Sequence, residues 1–127
     1  MIEPLNKPVI RVGIAGAGAI SQFHLVGWGE VEGIDVVAIC DPDEARARER
    51  AEAFGIPGVY TDVAEMLAAE SLDAIDIITP VGSHAPLVRL AAEHGVHVVC
   101  QKPMTPTVAE AEALICDIGD RVRFCVH

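Results

Sequence analysis

The residues whose types and spacing can do chemistry begin with a glycine turn and an acidic partner. Val12-Gly13-Ile14-Ala15 runs straight into Gly16-Ala17-Gly18-Ala19-Ile20-Ser21, and then into a helical stretch with Phe23, Leu25 and Val26. Where a strand meets a helix in this way, the first glycine permits the tight turn. The second omits the Cβ that would block a pyrophosphate, and the N–H groups opening the helix attract its charge. Gly16, Ala17, Gly18, Ala19 and Ile20 are the candidate phosphate cradle. Ser21 occupies the third glycine position and is small enough for close packing of helix on strand. Twenty residues later Asp41 ends the second apolar run. A carboxylate there accepts hydrogen bonds from adenosine ribose hydroxyls and repels a 2′-phosphate, so the expected cofactor is NAD in preference to NADP. Asp41-Pro42-Asp43-Glu44 reads equally as a helix start with Asp41 as N-cap, and one carboxylate can serve both uses. Arg46 and Arg48 read as paired charges on the surface of the following helix.

Two further polar clusters follow apolar runs: Thr79-Pro80-Val81-Gly82-Ser83-His84 after Ile77-Ile78, and Gln101-Lys102-Pro103 after Val98-Val99-Cys100. In a parallel sheet both would emerge at carboxyl ends of strands, where ligands bind in open α/β sheets.

The elements that must position these residues follow from periodicity. Strand-like runs span Val9 to Ala15, Val36 to Cys40, Val59-Tyr60, Ala74 to Ile78, Val96 to Cys100 and Val122 to Val126. Between them lie helix signals. Thr107-Val108-Ala109-Glu110 is a capping box ahead of Ala111, Leu114, Ile115 and Ile118, closed by Gly119. Ser83 is placed to cap a helix with Pro86 in its first turn, Leu87, Leu90 and Ala91 inward and Gly95 at its end. Asp62 to Glu65 opens another short helix. Strand–helix alternation with short connections calls for right-handed crossovers, a doubly wound parallel sheet and one α/β domain over residues 1–127. Composition agrees, because half the residues are apolar and only 4% are aromatic, as suits parallel strands covered on both faces.

Nineteen acidic against nine basic residues leave a net charge of −10. That charge repels a phosphate backbone or an anionic membrane, and no apolar run approaches the roughly 20 residues of a membrane span. The N-terminus has no basic region leading into an apolar one, so a cytoplasmic protein is expected. Cys40, Cys100, Cys116 and Cys125 occur singly in or beside apolar segments, without Cys-x-x-Cys pairs, and read as four buried thiols.

The chain resembles the N-terminal half of the Gfo/Idh/MocA oxidoreductases, the family of glucose-fructose oxidoreductase and inositol dehydrogenase. Three features carry the resemblance: the glycine turn with His24 shortly after, Thr79-Pro80-x-x-x-His84 in place of the family's TPNxxH, and Gln101-Lys102-Pro103 in place of its EKP. The resemblance implies a Rossmann domain in an NAD(P)-dependent dehydrogenase or reductase of sugars, polyols or related hydroxy and keto compounds. It implies a cofactor site including Thr79, Pro80, His84, Gln101 and Lys102, with Lys102 beside the nicotinamide as the catalytic group. Such a lysine is chemically apt, because hydride transfer leaves alkoxide-like charge that an ammonium stabilises or protonates. Taken alone, Lys102 is a solvated strand-end lysine, and His24, His94 and His97 are ordinary helix or strand-edge histidines.

Two departures stand out. Val81 replaces the family's Asn, and Gln101 replaces its Glu, which removes a negative charge beside Lys102 and should ease its deprotonation. Family members continue into a second domain that forms the substrate pocket, supplies a further catalytic histidine and makes most subunit contacts. A full-length version is therefore expected to be a homo-oligomer. The run Arg121 to His127 stops on an apolar strand and reads as the end of a fragment, able to bind cofactor without efficient turnover. Two other readings compete: a non-catalytic nucleotide-binding or sensor module, motivated by Val81 and Gln101, and an S-adenosylmethionine-dependent methyltransferase, against which Gln101-Lys102-Pro103 speaks.

Overall fold

A computed structural model describes residues 5–127. Six strands alternate with five helices: β1 (Ile10–Ala15), α1 (Ser21–Gly29), β2 (Ile34–Cys40), α2 (Glu44–Phe54), β3 (Gly58–Tyr60), α3 (Val63–Ala69), β4 (Ala74–Ile77), α4 (His84–Glu93), β5 (His97–Cys100), α5 (Val108–Ile118) and β6 (Phe124–Val126). A 3₁₀ turn, Val81–Ser83, leads into α4. All five strand pairings are parallel and the order is β3-β2-β1-β4-β5-β6. This is the expected doubly wound Rossmann arrangement, and the order reverses between β1 and β4.

Each strand feeds both faces, because successive side chains alternate. Ile75, Ile77, Val98 and Cys100 pack with Met66, Leu67, Val88, Ala91 and Leu114 on one face. Val12, Ile14 and Ile39 pack with Leu25, Ala51 and Ile56 on the other. Burying an Ile or Leu this completely contributes about 1.5–3 kcal/mol per side chain, so both faces hold the sheet.

Helix starts are where local sequence rules act most directly. Asp62 caps α3 by accepting from the N–H groups of Ala64 and Glu65, and Thr107 caps α5 through Glu110 N–H while its hydroxyl reaches the Glu110 carboxylate. Four expectations need correction. Asp43, not Asp41, caps α2, because Asp41 is drawn back onto the glycine turn. Ser83 makes no capping bond, since its hydroxyl lies 2.7 Å from Thr79 Oγ1 and 2.8 Å from the Pro80 carbonyl. The core face of α4 is His84, Val88, Ala91 and Ala92, with Leu87 and Leu90 only partly buried; Ile115 of α5 is exposed.

The cysteines divide, against the expectation of four buried thiols. Cys40 and Cys100 are buried and free, and burial pushes each thiol up to about 12, helped by Asp62, Asp41 and Glu65 around Cys40 and by Asp76 beside Cys100. Cys116 and Cys125 are exposed, because Cys116 lies off the Leu114/Ile118 stripe of α5 and Cys125 alternates with the better-buried Phe124 and Val126.

At the amino ends of the strands the charges close on one another. Asp73 accepts from Lys7 Nζ (2.6 Å) and from Arg11 N–H (2.9 Å), while Arg11 also reaches Glu70, which accepts from the Tyr60 hydroxyl. Burial opposes ionisation of Asp73, but these donors outweigh it and hold the carboxyl below its usual range. The Glu70 hydrogen bond holds Tyr60 above its own.

Candidate functional site

The carboxyl ends of β1, β2, β4 and β5 surround one cleft of about 1020 Å³. The glycine turn, Asp41, Pro42, Arg46, the start of α3, Thr79, Pro80, Ser83, Gln101 and Lys102 line it, with Leu87 and Leu90 as an apolar wall. It lies across the point where the strand order reverses, as ligand sites of open α/β sheets do.

The two glycines of the turn do different work. Gly16 has φ +108°, and a Cβ there would sit 2.6 Å from the Ile78 carbonyl oxygen, so β4 packs too close for any other residue. Gly18 has open space where its Cβ would be. Among the described groups none accepts from the N–H of Gly18, Ala19 or Ile20, while Ser21, fully buried, donates its hydroxyl to the Gly18 carbonyl at 2.6 Å. Three donors in a row beside an open glycine make a cradle that fits a pyrophosphate.

Asp41 is 7% exposed. Its Oδ2 accepts from Ala17 N–H (2.9 Å) and its Oδ1 from Asp43 N–H (2.8 Å). One carboxylate thereby ties the glycine turn to the start of α2, and each oxygen keeps capacity for a further hydrogen bond. Arg46, exposed on α2 as expected, also borders the cleft, whereas Arg48 pairs with Glu44. Helical spacing foretold the Arg48 pair; it carried no signal for Arg46, which depends on how α2 lies against β2.

On the far side, Thr79, Pro80, Gln101 and Lys102 reach the cleft as expected. His84 does not. Its ring is 1% exposed, with Nδ1 2.9 Å from the Pro103 carbonyl and Nε2 2.8 Å from the Thr79 carbonyl. It ties the loop after β4 to the loop after β5, the one that carries Lys102. Lys102 is exposed at the cleft, and its N–H donates to the His127 carbonyl at 2.7 Å. Cys40 also lines the cleft, but the raised thiol stays protonated and is no nucleophile.

His24 and Asp76 lie apart from this cleft, on the α1 face of the sheet, and neither is an ordinary surface group. His24 Nδ1 and Trp28 Nε1–H both meet Asp76 Oδ2 at 2.7 Å. The aspartate escapes a periodicity argument because it interrupts an otherwise apolar strand by a single residue.

The model of the Gfo/Idh/MocA oxidoreductases, described as the NAD-binding Rossmann fold of that family, matches residues 10–118. The chain belongs to this family. As a Gfo/Idh/MocA domain it is similar to D-apiose dehydrogenase of Paraburkholderia graminis, 46% identical over 80% of this chain and 27% of that one. It is similar to D-xylose 1-dehydrogenase (NADP(+)) 2 of Haloferax volcanii, 43% identical over 81% of this chain and 31% of that one. A crystal structure of an oxidoreductase from Agrobacterium radiobacter in complex with NAD+, L-tartaric acid and magnesium superposes with a TM-score of 0.89 at 33% identity, over 93% of this chain and 35% of that one. The chain thus spans about a third of the length of the relatives it matches, and what it spans is the cofactor-binding part. Family membership displaces the methyltransferase reading.

Proposed function

We propose that residues 1–127 form a single dinucleotide-binding domain of an NAD-dependent dehydrogenase acting on a sugar, polyol or related hydroxy or keto compound. The observation that carries the cofactor preference is Asp41, whose buried carboxylate borders the cleft one hydrogen bond from the glycine turn. There it accepts from ribose hydroxyls and opposes a 2′-phosphate. Gly18, Ala19 and Ile20 hold the pyrophosphate; Thr79, Pro80 and Gln101 border the nicotinamide end.

The bound nicotinamide supplies the hydride acceptor or donor. Lys102 Nζ takes the proton from the substrate hydroxyl on oxidation, or returns it on reduction, and its charge stabilises the alkoxide between. Gln101 beside it contributes no negative charge to the site. The apiose, xylose and inositol dehydrogenases among the relatives support pentoses and cyclitols as the first substrates to try. The net charge of −10 supports a small-molecule substrate over nucleic acid or an anionic membrane, and no described helix is long and apolar enough to cross a membrane. A cytoplasmic homo-oligomer of the full-length protein completes the reading.

Titration with NADH and NADPH tests the cofactor assignment. NADH should bind at least about tenfold more tightly, about 1.4 kcal/mol; equal affinity, or no binding of either, overturns it. Lys102→Met in the full-length protein should abolish NADH formation from sugar or polyol with NADH affinity retained. Turnover that survives this substitution removes Lys102 from the chemistry. Gln101→Glu should raise the pH at which activity rises, and an unmoved profile would discard the charge argument for that pair.

A further inference from the structure

We propose that His24, Asp76 and His127 form a binding site for a borderline divalent transition-metal ion of the zinc class, on the α1 face of the sheet and separate from the cofactor cleft. Asp76 is central to it. Its side chain is 1% exposed, its Oδ2 is taken by His24 and Trp28, and its Oδ1 has no hydrogen-bond partner among the described residues. A buried carboxylate oxygen left bare is unusual in a folded protein, where such atoms are almost always satisfied. The group facing it is His127, whose Nε2 lies 3.8 Å from Oδ1, and the two imidazole rings sit with centroids 4.6 Å apart.

The donor set fits the ion. One donor atom from each of the three residues lies within 4.8 Å of the others. A tetrahedral zinc with bonds of about 2.0–2.1 Å to nitrogen and oxygen has ligand atoms about 3.3 Å apart, so the rings need only a modest inward movement. His127 is free to make it, because its ring is 42% exposed, whereas His24 is 9% exposed and already directed by the carboxylate. Two imidazoles and one carboxylate suit zinc or cobalt more than magnesium or calcium, which prefer all-oxygen shells. Trp28 Nε1–H holds the non-ligating oxygen of Asp76, as outer partners of metal ligands do. A cavity of about 240 Å³ lined by His24, Gly27, Trp28, Val31, Asp76, Val99 and His127 leaves room for a water as fourth ligand. None of these residues lines the cofactor cleft, so the site is independent of the dehydrogenase reading. The ion would join α1, β4 and β6, staple the three-residue strand β6 to the sheet, and place its charge where a buried carboxylate needs it.

The test uses the protein at its natural full length, stripped with a chelator and titrated with Co(II) and then Zn(II). Visible absorption characteristic of tetrahedral cobalt should appear with one equivalent and vanish on adding Zn(II), and Zn(II) should raise Tm by mass action. His127→Gln, at a half-exposed position, should weaken Co(II) binding at least about tenfold, and Asp76→Asn at least about a hundredfold. Co(II) should also quench fluorescence in a way that Trp28→Phe removes. Absence of the cobalt spectrum together with no Zn(II)-dependent rise in Tm overturns the site. Binding that persists unchanged in both His127→Gln and Asp76→Asn does so as well.

Discussion

Asp41 and Asp76 are two aspartates buried to nearly the same degree, 7% and 1% exposed, in different surroundings. Asp41 sits where the chain leaves a strand, and backbone N–H groups meet both of its oxygens. Asp76 sits within a strand whose own N–H groups are used by the ladder, so only side chains can reach it, and they reach one oxygen. Strand ends offer a carboxylate free backbone donors and strand interiors do not. For that reason a buried acid at a strand end settles into local architecture, while one in mid-strand depends on partners from distant elements.

Substitution should separate the two most sharply at Asp41. Asp41→Ala strands the buried Ala17 N–H and frees the part-buried Asp43 N–H, which predicts a loss on the order of 2 kcal/mol in urea unfolding together with at least a tenfold drop in NADH affinity. Asp76→Asn keeps an acceptor for Trp28 and removes a poorly compensated charge, so in metal-free protein the change should stay within about 1 kcal/mol, with NADH affinity unaltered. A larger penalty at Asp76 than at Asp41 would invert the comparison.

The glycines that Asp41 holds in place give the next contrast. Gly16→Ala forces a side chain into positive φ against the Ile78 carbonyl and should cost about 1–3 kcal/mol of stability. Gly18→Leu should leave stability within about 1 kcal/mol while abolishing measurable NADH binding, read by calorimetry. His84→Ala, which unties the loops carrying Thr79 and Lys102, should cost about 1–3 kcal/mol, because the imidazole's contacts with the Thr79 and Pro103 carbonyls are lost.

The smallest effects concern pH. Burial, aided by Arg123 and opposed by Asp73, holds His97 below its usual range, and its Nδ1 accepts from Arg123 N–H. The unfolded chain therefore takes up that proton first as pH falls, so stability is full above about 6.5 and declines below it. The depressed Asp73 acts further into acid: its contribution is present above the ordinary carboxylate range and is lost as pH falls through its lowered value. Lys7→Met should shrink that acid limb in urea unfolding followed against pH, and His97→Gln should remove the one nearer neutrality.

Much of the fold was legible because its signals are local. The strand runs, the caps of α3 and α5 and the glycine turn each depend on residues within a few positions of one another, where backbone geometry and hydrogen-bond reach limit the outcomes. The cleft lining was legible in part. Gly16, Gly18, Ala19, Ile20, Thr79, Pro80, Gln101 and Lys102 all line the cleft because a parallel sheet sends all its strand ends to one edge, whereas Ala17 is buried with its N–H on Asp41. Arg46, Leu87 and Leu90 were missed because a residue beside the helical stripe faces a cleft or solvent according to how the helix lies on the sheet. His84 was expected in the cofactor region and does not line the cleft, since the same spacing serves a loop tie as well as a ligand contact.

By itself the sequence determined the alternating parallel order, the turn that only glycine can make at residue 16, and a carboxylate at the end of β2. Those choices are settled by sterics and periodicity over short spans. Tertiary structure alone decided that Asp41 reaches back 24 residues to Ala17 N–H instead of capping α2, and that His24 meets Asp76 across 52 residues. Such pairings depend on which strands lie side by side and on what burial leaves unsatisfied there, and no local spacing encodes either.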